Sequence, residues 1–253
     1  MDLGLKGKKA ILAGASRGIG RATARTLVAE GCDVAICARG QAGVDKVVEE
    51  LNGKGARAIG GAVDIGDGPA YKAWVAQAAE QLGGCDIFIC FSSAGGGPAN
   101  EDTWKATFNL DLLATARGIE AAMPHLEKSA AGSIVAISST AALEDFFGAQ
   151  AYNAMKAAVI AYAAAQSQAL APKGIRVNTV SPGPIYVDDG PWAFIKKNMP
   201  PLYEGTLKNI PTGRMGNAEE VANAIAFVAS PACRFMTGAN IVIDGGLTKR
   251  IQY

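Results

Sequence analysis

The sequence carries no uninterrupted apolar stretch near the roughly 20 residues of a membrane span, and no basic leader followed by an apolar core. Met1-Asp2-Leu3-Gly4-Leu5-Lys6 has neither feature, so a soluble, cytoplasmic protein is expected. An excess of one charge sign is also lacking: Lys and Arg total 24 against 23 Asp and Glu. No strong field is left to draw in nucleic acid or an anionic membrane, and any ligand must be recognised locally. Cys32, Cys37, Cys85, Cys90 and Cys233 are an odd, scattered set without C-x-x-C spacing, mostly in apolar surroundings. Neither a disulfide framework nor a zinc site is expected from them. Histidine is almost absent. His125, the only one, follows Pro124 at the end of a helical pattern, where favourable contact with the helix dipole explains it without catalysis. No internal repeat, low-complexity tract or linker divides the 253 residues, which suit one α/β domain with a sizeable core.

What is present is an alternation of short apolar strands and helices. Strands are expected at Lys8–Ala13, Cys32–Arg39, Ala56–Val63, Asp86–Phe91, Ser133–Ile137, Gly174–Val180 and Ala239–Ile243. Helices are expected up to about Glu30 with Gly31 as the stop, over roughly 41–53 and 67–82, from Glu101 to His125, from about Ala151 to Ala171, and from Asn217 to about Ser230. Asn217 should cap the last, with Glu219 and Glu220 in its first turn. Strands apolar on both faces call for a parallel sheet covered by helices on both sides and joined by right-handed crossovers. The segment from Pro184 to about Arg214 shows little periodicity. It carries Trp192, Phe194, Met199, Leu202, Tyr203 and Leu207 with Lys196, Lys197 and Lys208, and reads as a long irregular lid over a hydrophobic substrate or as a packed connector.

Three stretches bear chemistry. The first strand runs into Gly14-Ala15-Ser16-Arg17-Gly18-Ile19-Gly20. Glycines between a strand and a helix let backbone approach backbone and present N–H groups to a pyrophosphate. The spacing is G-x-x-x-G-x-G rather than G-x-G-x-x-G, and alone it also fits a tight structural turn. The second strand ends in Ala38-Arg39 rather than an acid that would hold a free ribose hydroxyl. Arg39 and Arg17 could flank a 2′-phosphate with charge-assisted hydrogen bonds, which favours NADP over NAD. The third stretch is Tyr152-Asn153-Ala154-Met155-Lys156. Residues four apart share a helix face, so an ammonium would stand beside a phenol whose reference pKa is about 10 and favour its phenolate. Ser138-Ser139 at the exit of an apolar strand would add a hydroxyl. Such a group could polarise a carbonyl while the phenol protonates its oxygen.

With these residues in hand, the chain from about Leu5 to Gly246 resembles the short-chain dehydrogenase/reductase family. Gly14, Gly18 and Gly20 match its cofactor turn, Asp64 its acid after the third strand, and Ser139, Tyr152 and Lys156 its catalytic residues. Pro182-Gly183 and Ile243-Asp244-Gly245-Gly246 match as well. The resemblance implies a Rossmann-like, doubly wound parallel sheet of seven strands ordered 3-2-1-4-5-6-7, in a single domain acting as a homo-oligomer, with a tetramer favoured over a dimer. It implies hydride transfer between NADP(H) and a carbonyl or secondary alcohol of a small molecule, without metal. Ser139 would bind the substrate oxygen, Tyr152 would exchange the proton, and Lys156 would assist Tyr152 and hold the nicotinamide ribose. Cofactor contacts would come from Gly14, Ser16, Arg17, Gly18, Ile19 and Gly20 in the turn and from Arg39 after the second strand. Asp64 and Ile65 would follow after the third strand, Ser93, Ala94 and Gly95 after the fourth, and Pro182, Gly183 and Ile185 after the sixth, besides Tyr152 and Lys156.

The chain departs from the family pattern in three places. Ala13 replaces a threonine before the glycine turn, and Ser92-Ser93 replaces an asparagine pair. Asp111 occupies the place of an asparagine that positions the lysine through water; Asn109 is the other candidate, at the cost of a register shift. An ionised Asp111 could pair with Lys156 and partly cancel its effect on Tyr152, or act as a proton-relay acid. Two other functions stay open beside a carbonyl reductase or alcohol dehydrogenase: a 3-oxoacyl thioester reductase, and a non-catalytic dinucleotide-binding sensor. The alanine-rich helix carrying Tyr152 suits close packing against another helix, between subunits or within one.

Overall fold

A computed structural model, describing residues 1–146 and 148–251, contains the expected alternation. The strands are β1 (Lys9–Ala13), β2 (Asp33–Ala38), β3 (Ala58–Ala62), β4 (Ile87–Cys90), β5 (Ser133–Ile137), β6 (Arg176–Pro182) and β7 (Asn240–Ile243). They form one sheet in the order β3-β2-β1-β4-β5-β6-β7. Every pairing is parallel, as in Ile11 opposite both Ala35 and Phe88. The parallel sheet is what the alternation called for, and its Rossmann-like strand order is the one the family resemblance implied.

Side chains alternate across the sheet, and each face has its own helices. On one face Leu12, Ile36, Ile89, Val135 and Val180 pack with Leu27 of α1 (Gly18–Ala29), Val44 and Val47 of α2 (Gln41–Leu51) and Ile225 of α9 (Ala218–Ala229). On the other, Ile11, Ala35, Phe88, Ile134 and Val177 pack with Tyr71 and Val75 of α3 (Gly68–Leu82), Ile119 of α5 (Ala114–Leu126) and Val159 of α6 (Ala151–Leu170). Burial on both sides is why the inner strands read as continuous apolar runs rather than alternating ones, while the edge strands β3 and β7 are partly exposed. The five cysteines lie buried and unpaired in this core. Burial pushes the Cys37 thiol up to about 12, which keeps it from reacting as a thiolate. The start of α9 forms a reciprocal cap: Glu220 N donates to Asn217 Oδ1 and Asn217 N to Glu220 Oε2, each at 2.9 Å.

Two expectations need correction. The pattern from Glu101 to His125 is not one regular helix. It comprises α4 (Glu101–Thr107), a π-helical segment (Phe108–Leu113) and α5. A π turn is wider than an α turn and shifts the groups it carries, and such insertions recur at functional sites. Here the Ser92 hydroxyl donates to Leu110 O at 2.6 Å and the Thr115 hydroxyl to Asp111 O at 2.9 Å, inside that segment. The stretch from Pro184 to Arg214 is also not irregular throughout. It holds α7 (Pro191–Asn198) and α8 (Pro200–Asn209). Both begin on a proline, which suits a first helical position because no backbone donor is needed there. The weak periodicity of the segment hid two helices.

Candidate active site

Every residue singled out for cofactor or catalysis lies in or next to the loops at the carboxyl ends of the strands, or on a helix that begins there. In open α/β sheets that edge is where ligands bind.

At β5 and α6, three contacts fix the Tyr152 and Lys156 neighbourhood. The Ser138 hydroxyl donates to the backbone carbonyl of Lys156 at 2.8 Å, which ties the end of β5 to the first turns of α6. Lys156 Nζ donates back to Ile137 O at 3.1 Å. The same ammonium sits 5.7 Å from the Tyr152 ring centroid. Ser139 follows Ser138 directly, and its hydroxyl oxygen accepts from Ala141 N at 3.1 Å. Lys156 is almost wholly buried and Tyr152 only partly so. Thus the amine is held inside while the phenol is partly exposed.

Asp111 stands on the inner side of the π-helical segment, 1 % exposed. Its Oδ2 accepts from Ala94 N at 2.9 Å, and its Oδ1 lies 3.0 Å from Lys156 Nζ. That second contact is an ion pair without hydrogen-bond alignment, and Oδ1 has no hydrogen-bond donor among the described residues. Burial by itself would pull the Lys156 ammonium down. The Asp111 carboxylate and then Tyr152 outweigh it and hold the amine above the ordinary lysine value. Asn109, the alternative to Asp111, does not reach Lys156. Its Nδ2 donates to Gly66 O at 3.2 Å, on the other side of the sheet edge.

The glycine turn after β1 fits a dinucleotide phosphate by its packing. A Cβ on Gly14 would lie 3.3 Å from the backbone at Phe91 and Ser92, and one on Gly20 would lie 2.8 Å from Ala15 Cα and Gly14 O. These glycines let α1 start against the strand ends, with its N–H groups facing the open edge. In front of Gly18 there is open space. Ser16 and Ile19 are partly exposed in the same turn. Arg39, just beyond β2, is exposed and forms no ion pair among the described residues. Arg17 is exposed as well, but its guanidinium donates to Asp189 O at 3.2 Å across the edge. After β3, the exposed Asp64 accepts from Gly66 N at 2.9 Å with the partly exposed Ile65 between them. After β4, Ser93 Oγ accepts from Gly95 N at 2.9 Å. Pro182 closes β6, Gly183 N donates to Ile243 O at 2.9 Å, and Ile185 bridges to Gly216.

Over this edge lies a separate apolar cluster. Ile210, Met215 and Leu247 are buried with Phe146, Tyr186, Trp192, Tyr203 and Leu207 against them. Lys196 Nζ sits 5.3 Å from the Tyr186 ring centroid and 5.5 Å from that of Tyr203. Phe194 and Met199 point outward, 64 % and 47 % exposed. The carboxyl-terminal stretch enters the cluster through Leu247, and just beyond it Glu144 accepts the backbone N–H groups of Lys249 and Arg250. Sequence reading missed Glu144. Its partners lie more than a hundred residues away, and no local signal marks it. His125 is elsewhere: it lines a shallow cavity with Lys9, Asp86 and Ser129, where the strands begin rather than end.

The chain is similar to known proteins along its whole length. A family model described as enoyl-(acyl carrier protein) reductase matches residues 14–248. An isoepoxydon dehydrogenase of Penicillium expansum is 35 % identical over 257 residues, covering 100 % of this chain and 99 % of the relative. A 3-oxoacyl-[acyl-carrier-protein] reductase of Vibrio harveyi is 32 % identical over 253 residues, covering 97 % and 99 %. Among solved structures, L-sorbose reductase from Gluconobacter frateurii, complexed with NADPH and L-sorbose, superposes with a TM-score of 0.90 at 26 % identity. That likeness covers 99 % of this chain and 100 % of the other.

Proposed function

Because the chain belongs to the short-chain dehydrogenase/reductase family of oxidoreductases, we propose that it is an NADP(H)-dependent enzyme acting on a carbonyl or secondary alcohol of a hydrophobic small molecule. When bound, the nicotinamide supplies or accepts the hydride. The protein's own residues bind, orient and move the proton. Ser139 donates its hydroxyl to the substrate oxygen and polarises the carbonyl. Tyr152 delivers a proton to that oxygen during reduction and takes one during oxidation. Lys156, charged and buried, favours the phenolate that remains on Tyr152 and has N–H groups to spare for the nicotinamide ribose. Asp111 keeps Lys156 charged and in place and moderates its pull on Tyr152.

The observation that carries this reading is the Lys156 ammonium fixed between Ile137, Asp111 and the Tyr152 ring at the edge where the glycine turn opens. Preference for NADP(H) rests on Arg39 and Arg17 at the β2 side of that edge. The NADPH bound to the Gluconobacter frateurii enzyme speaks for the same cofactor. The remaining contacts belong to Gly14, Ser16, Gly18, Ile19, Gly20, Asp64, Ile65, Ser93, Ala94, Gly95, Pro182, Gly183 and Ile185. The whole chain acts as a single cofactor-binding domain in which residues 184–215 receive the substrate, and the Trp192 and Tyr203 cluster supports an apolar one. A homo-oligomer is part of the proposal, a tetramer before a dimer. It is supported by exposed Trp104 and Phe108 and by exposed Ala154, Ala157 and Ala161 on α6.

The likeness to the Vibrio harveyi enzyme favours a second reading, reduction of a 3-oxoacyl thioester. Single-turnover oxidation of bound NADPH with a panel of free ketones and of acyl carrier and coenzyme A thioesters separates the two. Turnover with free ketones supports the first reading, and turnover confined to thioesters replaces it with the second. A chain that binds NADPH yet oxidises it with no carbonyl would be a sensor.

A further inference from the structure

We infer that Asn109, backed by Arg117, positions the turn that receives the adenosine half of the dinucleotide; the inference rests on the NADP(H) reading above. Three successive residues of the π-helical segment grip cofactor-side loops. Leu110 O and Asp111 Oδ2 hold the loop after β4, through Ser92 Oγ at 2.6 Å and Ala94 N at 2.9 Å. Asn109 serves the loop after β3 instead. Its Nδ2 donates to Gly66 O at 3.2 Å, while its Oδ1 accepts from Arg117 at 2.8 Å. Arg117 also approaches Gly66 O, at 3.5 Å.

The turn fits closely against this pair. A Cβ on Gly66 would stand 3.1 Å from Asn109 Nδ2 and 3.2 Å from Asp64 Oδ1, and one on Gly68 would stand 2.7 Å from the Arg117 guanidinium. Asp64 is linked to the same point, because its Oδ1 accepts from Gly66 N at 2.9 Å. Whatever moves Gly66 therefore moves the Asp64 carboxylate. Strand order gives the turn its role. The ends of β2 and β3 lie on one side of the glycine turn, and those of β4 and β5, with Tyr152 and Lys156, lie on the other. A dinucleotide that crosses the turn with its nicotinamide at Tyr152 must lay its adenosine toward Arg39 and Asp64. The π-helical segment spans both halves, since Asn109 and Asp111 extend to opposite sides of it.

Calorimetric titration with NADPH and, separately, with adenosine 2′,5′-bisphosphate tests this, together with kcat and the ketone KM at saturating NADPH. Asn109→Ala and Arg117→Met are each expected to raise both dissociation constants by a common factor, about five- to tenfold, as for one lost hydrogen bond. The double variant should fall well short of the product of the two single effects, because Arg117 acts mainly through Asn109 and reaches Gly66 O itself only at 3.5 Å. Neither should change kcat or the ketone KM once NADPH saturates. Asn109→Asp keeps the acceptor for Arg117 but loses the donor to Gly66, and should behave like Asn109→Ala. If Asn109→Ala does not fold, Arg117→Met carries the test. Unchanged affinities would overturn the inference, as would a loss seen with NADPH and absent with adenosine bisphosphate, or an equal fall in kcat at saturation. Wild-type protein that binds no NADPH would remove the cofactor reading and this inference with it.

Discussion

Asp111 Oδ1 and Lys156 Nζ lie 3.0 Å apart with side chains 0 % and 4 % exposed, a buried ion pair beneath the candidate proton donor Tyr152. Two buried charges tolerate each other only as a pair. Removing one partner leaves the other desolvated and uncompensated, at a cost of about 3–5 kcal/mol. Asp111→Ala should therefore lower stability by about that amount in urea unfolding at neutral pH. A loss under about 1 kcal/mol would show that the pair is not charged.

Asp111→Asn tests the electrostatic role more gently. The negative charge of Asp111 offsets part of the positive charge that Lys156 presents to Tyr152. With the carboxylate gone, the largest effect that opposes burial is lost and the Lys156 ammonium gives up its proton more readily, so the alkaline limb of the pH–rate profile of kcat/KM should move to lower pH. Profiles that coincide with wild type would reject this role.

Glu50 offers a separate pH test, remote from the site. It accepts from Arg25 and Arg21 and links α1 to α2. Hydrogen bonding to Arg25, against a smaller desolvation effect and with help from Arg21, lowers its pKa from 4.5 to about 2. A depressed carboxylate contributes stability above its unfolded value and loses it as pH falls through the folded one. The stability gap between wild type and Glu50→Gln should thus be full at pH 6 and shrink between about pH 4.5 and 2. A gap constant across that window contradicts the assignment.

Arg39 tests the proposed preference for NADP(H). Arg39→Ala should raise the KM for NADPH about 10- to 100-fold, the weight of hydrogen bonds to a charged group, and leave that for NADH nearly unchanged. Equal losses for both would place Arg39 away from the 2′-phosphate.

Trp192 bears on the substrate. If its cluster with Tyr186 and Tyr203 lines the substrate side, Trp192→Ala should raise the KM of bulky apolar ketones about tenfold, consistent with losing an aromatic contact area. NADPH affinity should not change. A shift in NADPH binding with no change in ketone KM would move the substrate elsewhere.

The sheet was legible in the sequence because its inner strands are buried on both faces, so short apolar runs such as Ser133–Ile137, bounded by turns and alternating with helical stretches, mark it. Tyr152 and Lys156 were legible because helix geometry alone brings residues four apart together. The place of Asp111 follows from its distance in sequence to Trp104 and Pro124, and the structure sets its carboxylate beside Lys156 without the register shift that Asn109 needs. What was hidden depends on distant contacts. The π-helical segment has no periodicity of its own at six residues, and its carbonyls are met by Ser92 and Thr115. Helices α7 and α8 expose most of their surface, so the hydrophobic stripe that reveals a packed helix is weak. The hydrogen bond from Arg17 to Asp189 joins residues 172 apart, beyond any local pattern.

Single-turnover mixing of NADPH-loaded Tyr152→Phe protein with the best ketone substrate probes the proton donor itself. Loss of one hydroxyl should slow NADPH oxidation at least about 100-fold, in line with the removal of a general acid, while NADPH binds as in wild type. Oxidation at the wild-type rate would mean that the proton comes from another group, and the mechanism built on Tyr152 and Lys156 would be wrong.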